Sequence, residues 1–380
     1  MPTETVRFIL IIFSWFSLFA CTTGNLRASL PAIIHDNVSK GGSIPDEIRA
    51  GGWITYWDFQ RGMDVIHHKP ALMDDVFFFA VHLDSDGMPI LVADPPHNYQ
   101  EAVEQVKAQK SAAWMTVVND LQQSGTSGFI LKDSQRLHTI FYQADKRRTH
   151  RERIVELATR YRFSGVDIDY ENLPVADREI FTVFINELAF DLRQKGISIS
   201  VTVQPKSREN LSVGPGGANW KELCQSVDRL QIMLYNLHST KTGPGPLATP
   251  EWMQSVLQFA KGECKDQQIV PVIKVSGMQW GIQGANGMQY DQIMMLAEKY
   301  KANIMRDPNG DIPYFSYRAE GGEAYTVYYE DLQSLKKKIE TIYALDLRSI
   351  LFWSLGRQDP GLLTYLENLT PFNLKDTGMD

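Results

Sequence analysis

The 380-residue sequence predicts a (β/α)8 TIM barrel with a small α/β insertion after the seventh strand. Two observations carry that expectation. Apolar β-type runs alternate with amphipathic helical patterns, the signature of βα units and a parallel sheet. Eight such runs occur, at Trp53–Phe59, Val76–Leu83, Ala113–Val118, Gly165–Glu171, Ile197–Val203, Leu230–Asn236, Ile269–Val275 and Ser349–Leu355. Eight strands within about 310 residues fit one barrel with added material. A doubly wound sheet is the alternative, and the strand count disfavours it.

The elements between the strands follow from the same patterns. A helix at Lys146–Tyr161 ends just before Phe163-Ser164-Gly165, where the fourth strand begins. The added material, Gly281–Tyr328, contains a helix at Tyr290–Lys301 and β-like stretches at Ile312–Arg318 and Glu323–Tyr329. The expected organisation is a signal peptide (1–20), a tether (21–48), a barrel (49–368, insertion about 281–328) and a tail (369–380).

Composition narrows the function classes. Hydrophobic residues make up 43% and charged residues 22%, enough to bury a sizeable core. A net charge of -7 argues against nucleic acid or an anionic lipid surface as partner. The basic cluster Lys146–Arg153 reads as the solvated face of a helix. The 8 Trp and 15 Tyr suit stacking on sugar rings and an ordinary core equally well.

The N-terminus carries an address. Phe8 to Ala20 is almost wholly apolar, is preceded by Arg7, and is too short to span a bilayer comfortably. The run closes on Leu18-Phe19-Ala20-Cys21, which resembles a bacterial lipobox, so Cys21 is the candidate lipidation site and the only expected link to a membrane. Plain secretion with an incidental Cys21 is the alternative. Cys224 and Cys264 show no metal-ligand spacing; they pair after export or remain buried thiols.

The chemistry sits on the fourth strand. In Gly165-Val166-Asp167-Ile168-Asp169-Tyr170-Glu171, alternation puts Asp167, Asp169 and Glu171 on one face and Val166, Ile168 and Tyr170 on the other. Three carboxylates inside a barrel repel one another and lose hydration, an arrangement that serves a site and not a core. Repulsion keeps a proton on at least one of them. Glu171 lies last, at the end of the strand where barrel active sites open. Two alternatives stand beside this: an exposed acidic edge strand, and an Mg²⁺ or Ca²⁺ site built on three oxygen ligands.

The segment resembles the signature strand of family 18 glycoside hydrolases, the chitinase family, Asp-x-x-Asp-x-Asp-x-Glu. It matches at Asp167, Asp169 and Glu171, with Ser164 in the place of the first Asp. Gln231–Asn236 is similar to the family's sixth strand and Ile350–Gly356 to its eighth, whose Trp floors the reacting-sugar subsite. Glu171-Asn172-Leu173-Pro174, Gly243–Ala248, Tyr329–Ser334 and Gly356–Pro360 resemble the spore-cortex type of N-acetylglucosaminidase within that family. At the seventh strand, Lys274 and Ser276 depart from the family's apolar turn.

The resemblance implies a retaining hydrolase of N-acetylglucosamine-containing glycans, of peptidoglycan or chitin type, in which the substrate's acetamido group replaces an enzymic nucleophile. Glu171 is then acid and base, Asp169 orients the acetamido N–H with support from Asp167, and Tyr235 donates to the acetamido oxygen. Trp353 stacks under the sugar; Asn236, Tyr56 and Met233 complete the candidate sugar contacts. A non-catalytic glycan-binding barrel is the rival class, and it characteristically lacks the final Glu. No cofactor and no metal are expected, and a monomer is. No second carboxylate at a strand end is legible as facing Glu171.

Overall fold

A computed structural model of the chain describes residues 48–93, 96–123, 128–209 and 212–369. The apolar leader, Cys21 and nearly all of the tether (21–47) lie outside the described residues, as does the tail beyond residue 369. Among the described residues no helix is long and apolar enough to cross a membrane.

Eight parallel strands close on themselves. They are β1 (Arg49–Thr55), β2 (Asp75–Leu83), β3 (Ala112–Gln122), β4 (Gly165–Asp169), β5 (Ser198–Val203), β6 (Arg229–Met233), β7 (Ile269–Lys274) and β8 (Ser349–Trp353). Each pairs with its successor in this numbering, and β8 returns to β1 through Arg49 to Gly52 against Ser349 to Phe352. Closure excludes the doubly wound alternative, which has two open edges.

Two apolar layers hold the barrel. Side chains facing the helices, among them Val76, Phe78, Val166, Ile168 and Ile232, are fully buried. Inside, Trp53, Phe77 and Trp114 stack with ring centroids 4.8 and 5.2 Å apart, in one cluster with Val270, Val272 and Leu351. Each such large apolar side chain contributes roughly 1.5–3 kcal/mol.

The first strand begins four residues earlier than expected and ends at Thr55; Tyr56–Asp58 form a 3-10 turn and Phe59 opens a helix. Gly51-Gly52, ahead of the expected start at Trp53, lies within the strand and serves close approach. A Cβ on Gly51 would lie 2.4 Å from the Asp75 carbonyl oxygen. β4, β6 and β8 each stop two or three residues short of the apolar runs that predict them. Tyr170, Glu171, Tyr235 and Asn236 therefore stand on the rim, beyond the ladder.

The insertion after β7 is a five-stranded antiparallel sheet and one helix. In sheet order the strands are Gly284–Met288, Gly277–Gly281, Ala324–Tyr329, Ile312–Arg318 and Met305–Asp307. The helix Tyr290–Lys299 buries Ile293 and Ala297 against Phe315, Val327 and Tyr329.

The basic cluster is less solvated than its composition implies. On the helix Ala144–Arg160, Arg147 and Arg151 pair with Glu187, and Arg151 also with Asp191, on the helix Arg178–Arg193. Cys224 and Cys264 are joined as a disulfide, with Cα atoms 5.7 Å apart, which resolves the two readings left open by their spacing.

Candidate active site

Inward-facing residues of β4 make the base of the site. Asp167 is fully buried and accepts from the hydroxyls of Ser200 at 2.9 Å, Thr202 at 3.0 Å and Thr116 at 3.1 Å. Trp53 Nε1 in turn donates to Thr116 Oγ1 at 3.0 Å, which fixes that hydroxyl's direction. Burial pushes the Asp167 carboxyl up to about 7, although the hydroxyls and Lys132 pull it down. Tyr170 faces away as alternation requires, its hydroxyl 2.6 Å from His150 Nε2. Ser164 lies below the ladder at the foot of β4, its backbone bonded to Ala113 and Ser198.

Asp169 stands one step higher and is 7% exposed. Its Oδ1 is buried and has no hydrogen-bond partner among the described residues. Burial raises its pKa; Lys132 opposes that, while Glu171, Asp167 and Asp120 add to it. Glu171 stands past the strand end, and the Asn119 side chain holds its backbone in both directions. Asn119 Nδ2 donates to the Glu171 carbonyl and the Glu171 N–H donates to Asn119 Oδ1, each at 3.0 Å. The Glu171 carboxylate accepts from Gln204 Nε2 at 3.1 Å and meets the Lys132 ammonium at 3.0 Å.

These groups open into a cavity of about 330 Å³ at the C-terminal end of the barrel. Tyr56, Met233, Tyr235, Asn236 and Trp353 all line it, together with Asp169 and Glu171. Asp167 lies beneath. Burial raises the Tyr235 hydroxyl well above its ordinary range, and Asp169, Glu171 and Asp167 add to that, so it stays a proton donor. Trp353 closes one side, with ring centroids 5.2 Å from Phe79 and 5.8 Å from Trp53. A larger hollow of about 670 Å³ lies between two outer helices, where Arg151 and Asp191 already neutralise each other; it holds no chemistry.

Two charged residues were not legible as site residues. Lys132, on the loop after β3, reaches Glu171 at 3.0 Å, Asp169 at 3.5 Å and Asp120 at 3.9 Å. Burial would lower its pKa, but the three carboxylates carry it above the ordinary lysine range. Asp120, near the end of β3, lines the cavity, which corrects the expectation that no second carboxylate faces Glu171. Its Oδ1 accepts the Lys132 backbone N–H at 2.9 Å. His82 also lines the cavity, held neutral with a pKa near 3 by burial and by Lys132. Neither of its ring nitrogens has a hydrogen-bond partner among the described residues. A lone Lys before a helix-capping Asp133, and a His within an apolar strand, carry no signal in sequence.

The exposed face of Trp353 makes a prediction. Trp353→Ala should weaken oligosaccharide binding by ~1–3 kcal/mol, by analogy with base–aromatic stacking. Calorimetric titration and a melting curve check it. A collapse in melting temperature with affinity unchanged would make Trp353 a core residue only.

Comparison with known proteins agrees with this geometry. Residues 52–359 match the family described as Glycosyl hydrolases family 18. The chain is 26% identical over 285 residues to the cortical fragment-lytic enzyme of Bacillus subtilis, covering 71% of this chain and 62% of that one. It is 26% identical over 214 residues to the enzyme of the same name from Bacillus anthracis, covering 54% of this chain and 50% of that one. The chain thus spans half to three fifths of these relatives' length. In fold it is similar to the Bacillus cereus spore cortex-lytic enzyme SleL (TM-score 0.73, 19% identity, 85% of this chain and 74% of that one). It is equally similar to a chitinase from Chromobacterium violaceum (TM-score 0.74, 22% identity, 85% and 98%). With the family match running from within β1 past the end of β8 and including the carboxylate strand, the chain belongs to the glycosyl hydrolases of family 18.

Proposed function

We propose that this chain hydrolyses β-linked, N-acetylglucosamine-containing glycans with retention, the substrate's acetamido group acting as nucleophile. The observation that carries the proposal is the buried, unpartnered Oδ1 of Asp169, a residue lining the same cavity as Tyr235. Buried acceptors are almost always satisfied, so an orphan on a residue that lines a cavity asks for a donor from a ligand. An acetamido N–H is such a donor, and the acetamido oxygen is the matching acceptor for Tyr235.

Glu171 gives its proton to the departing glycosidic oxygen while the acetamido oxygen attacks the anomeric carbon from the opposite face. The bond to the leaving sugar breaks and a cyclic oxazolinium ion forms, its N–H held by Asp169. Glu171, now a base, takes a proton from water; that water adds to the anomeric carbon and reopens the ring. Asp167, within a shell of hydroxyl donors, supports Asp169 from below. Trp353 stacks under the ring and Tyr56, Met233 and Asn236 bound its edges. Export to the cell envelope, anchored through Cys21, belongs to the same proposal, supported by the apolar leader.

Dye release from chitobiose- and chitotriose-linked reporters tests the reading, and no release from either would defeat it. Activity should also survive exhaustive EDTA. The Lys132 ammonium already sits among Asp120, Asp169 and Glu171, where a divalent ion would have to bind. Loss of activity restored by Mg²⁺ or Ca²⁺ would assign the carboxylates to a metal instead.

A further inference from the structure

The cavity has a second lysine, and its charge is not balanced. Lys274 ends β7, opposite Trp353 in the ladder with β8, and its side chain lines the cavity. The Val275 N–H donates to the Trp353 carbonyl at 3.1 Å, so the lysine and the Trp353 floor are held side by side. Lys132, across the site, has three carboxylates; Lys274 has no counter-ion within ion-pair distance among the described residues. The nearest charges are committed elsewhere. Glu330 is fully buried and bound by Lys338 and Ser334, and Arg357 donates to Asp58 at 2.7 Å.

An ammonium left unpaired in a wall of this kind is costly unless something joins it. Burial, with Arg357 nearby, lowers Lys274 to about 8, and Glu330 opposes this, so the group is still largely charged at neutral pH. The distribution of charge also gives the cavity a direction. Asp120, Asp169 and Glu171 gather on the β3–β4 side, while Lys274 stands on the β7–β8 side. A neutral sugar chain offers that ammonium oxygen acceptors but no counter-charge. An anionic substituent would be repelled by the first wall and attracted by the second.

We propose that Lys274 binds a carboxylate carried by the glycan, so that the site takes N-acetylated glycans bearing an acidic group, of the muramic-acid type, in preference to neutral ones. This rests on the hydrolase reading above for the place of the reacting sugar. The lactyl ether of a muramic residue and the carboxyl of a uronic acid share the chemistry, and position along the chain separates them.

The test compares four substrates: neutral N-acetylglucosamine oligomers, strands alternating N-acetylglucosamine with N-acetylmuramic acid, the same strands with carboxyls reduced to alcohols, and strands alternating N-acetylglucosamine with glucuronic acid. Wild-type kcat/KM should fall about ten-fold on reducing the muramic strands, the scale of one charge-assisted hydrogen bond. Lys274→Met should bring that ratio close to one, and Lys274→Arg should retain it. Preference for the glucuronic strands over the muramic ones would overturn the muramic assignment. A ratio near one in wild type, or one untouched by Lys274→Met, would overturn the carboxylate site itself. The same ratios are read as affinities by calorimetry on Glu171→Gln enzyme, and melting curves confirm that each variant is folded. If no substrate is cut, the hydrolase reading fails while the affinity ratio still decides the role of Lys274.

Discussion

Glu171→Gln should lower turnover about 10² to 10⁴-fold, the usual contribution of a positioned general acid, and leave oligosaccharide affinity close to wild type. The substitution keeps the shape of the side chain and an oxygen that accepts from Gln204. It removes the proton that the leaving oxygen needs and the base that later activates water. The backbone around it should not move, because Asn119 holds the Glu171 N–H and carbonyl without using the side chain. Lys132 retains Asp169 and Asp120 as partners, so the variant leaves no orphan ammonium. Reporter kinetics give the turnover and calorimetry the affinity. More than a tenth of wild-type turnover would mean that another group delivers the proton. Asp169 is then the first candidate, since burial already raises its pKa.

How far the site was legible follows from where its residues lie in sequence. Asp167 and Asp169 share one strand and Glu171 follows two residues past its end, so period-two alternation read along that run places three carboxylates together. Tyr235 and Trp353 stand at the ends of two other apolar runs, and a barrel brings all such ends to one rim. The groups that escaped notice have no periodicity behind them. Lys132 meets Glu171 across 39 residues of chain and sits in a loop, where position depends on turns that no alternation fixes. Asn119 and Gln204 are uncharged, and their value lies in two or three distances that only coordinates show. Asp120 was hidden because the expected third strand stops at Val118, two residues before it, whereas the strand runs on to Gln122.

The fold shows the same division. The strands were readable wherever β-branched and aromatic residues run together; the start of β1 was misplaced where glycine intrudes, and β4, β6 and β8 stop short of their apolar runs. In β1, Gly51-Gly52 precedes the expected start at Trp53 yet fills a gap with no room for a side chain. In the insertion, the hairpin Gly277–Gly281 and Gly284–Met288 is spelled with four glycines in twelve residues, a composition with little strand propensity. There the pairing with Ala324–Tyr329 decides, a long-range contact that local composition cannot carry.

The acetyl group should be indispensable. Chitosan oligomers with a free amine at C2 should show no hydrolysis above background, a loss of at least about 10³-fold, because the displaced nucleophile was worth an intramolecular reaction. The amine cannot replace it: it offers no carbonyl oxygen to the anomeric carbon, and Tyr235 has nothing to hold. A thiazoline analogue of the cyclic intermediate should inhibit strongly, since it carries the geometry that the site binds best during reaction. Asp120 is the group that makes the experiment informative. It is a second carboxylate on the cavity wall, and a retaining glycosidase with an enzymic nucleophile needs one. Its commitments argue against that role: Oδ1 accepts the Lys132 backbone N–H, and the Lys132 ammonium lies 3.9 Å away. Asp120→Asn should therefore slow turnover of N-acetylated substrate only modestly, through a shifted Lys132. Cleavage of the deacetylated oligomers that disappears in Asp120→Asn would identify Asp120 as the nucleophile and replace the acetamido mechanism with a two-carboxylate one.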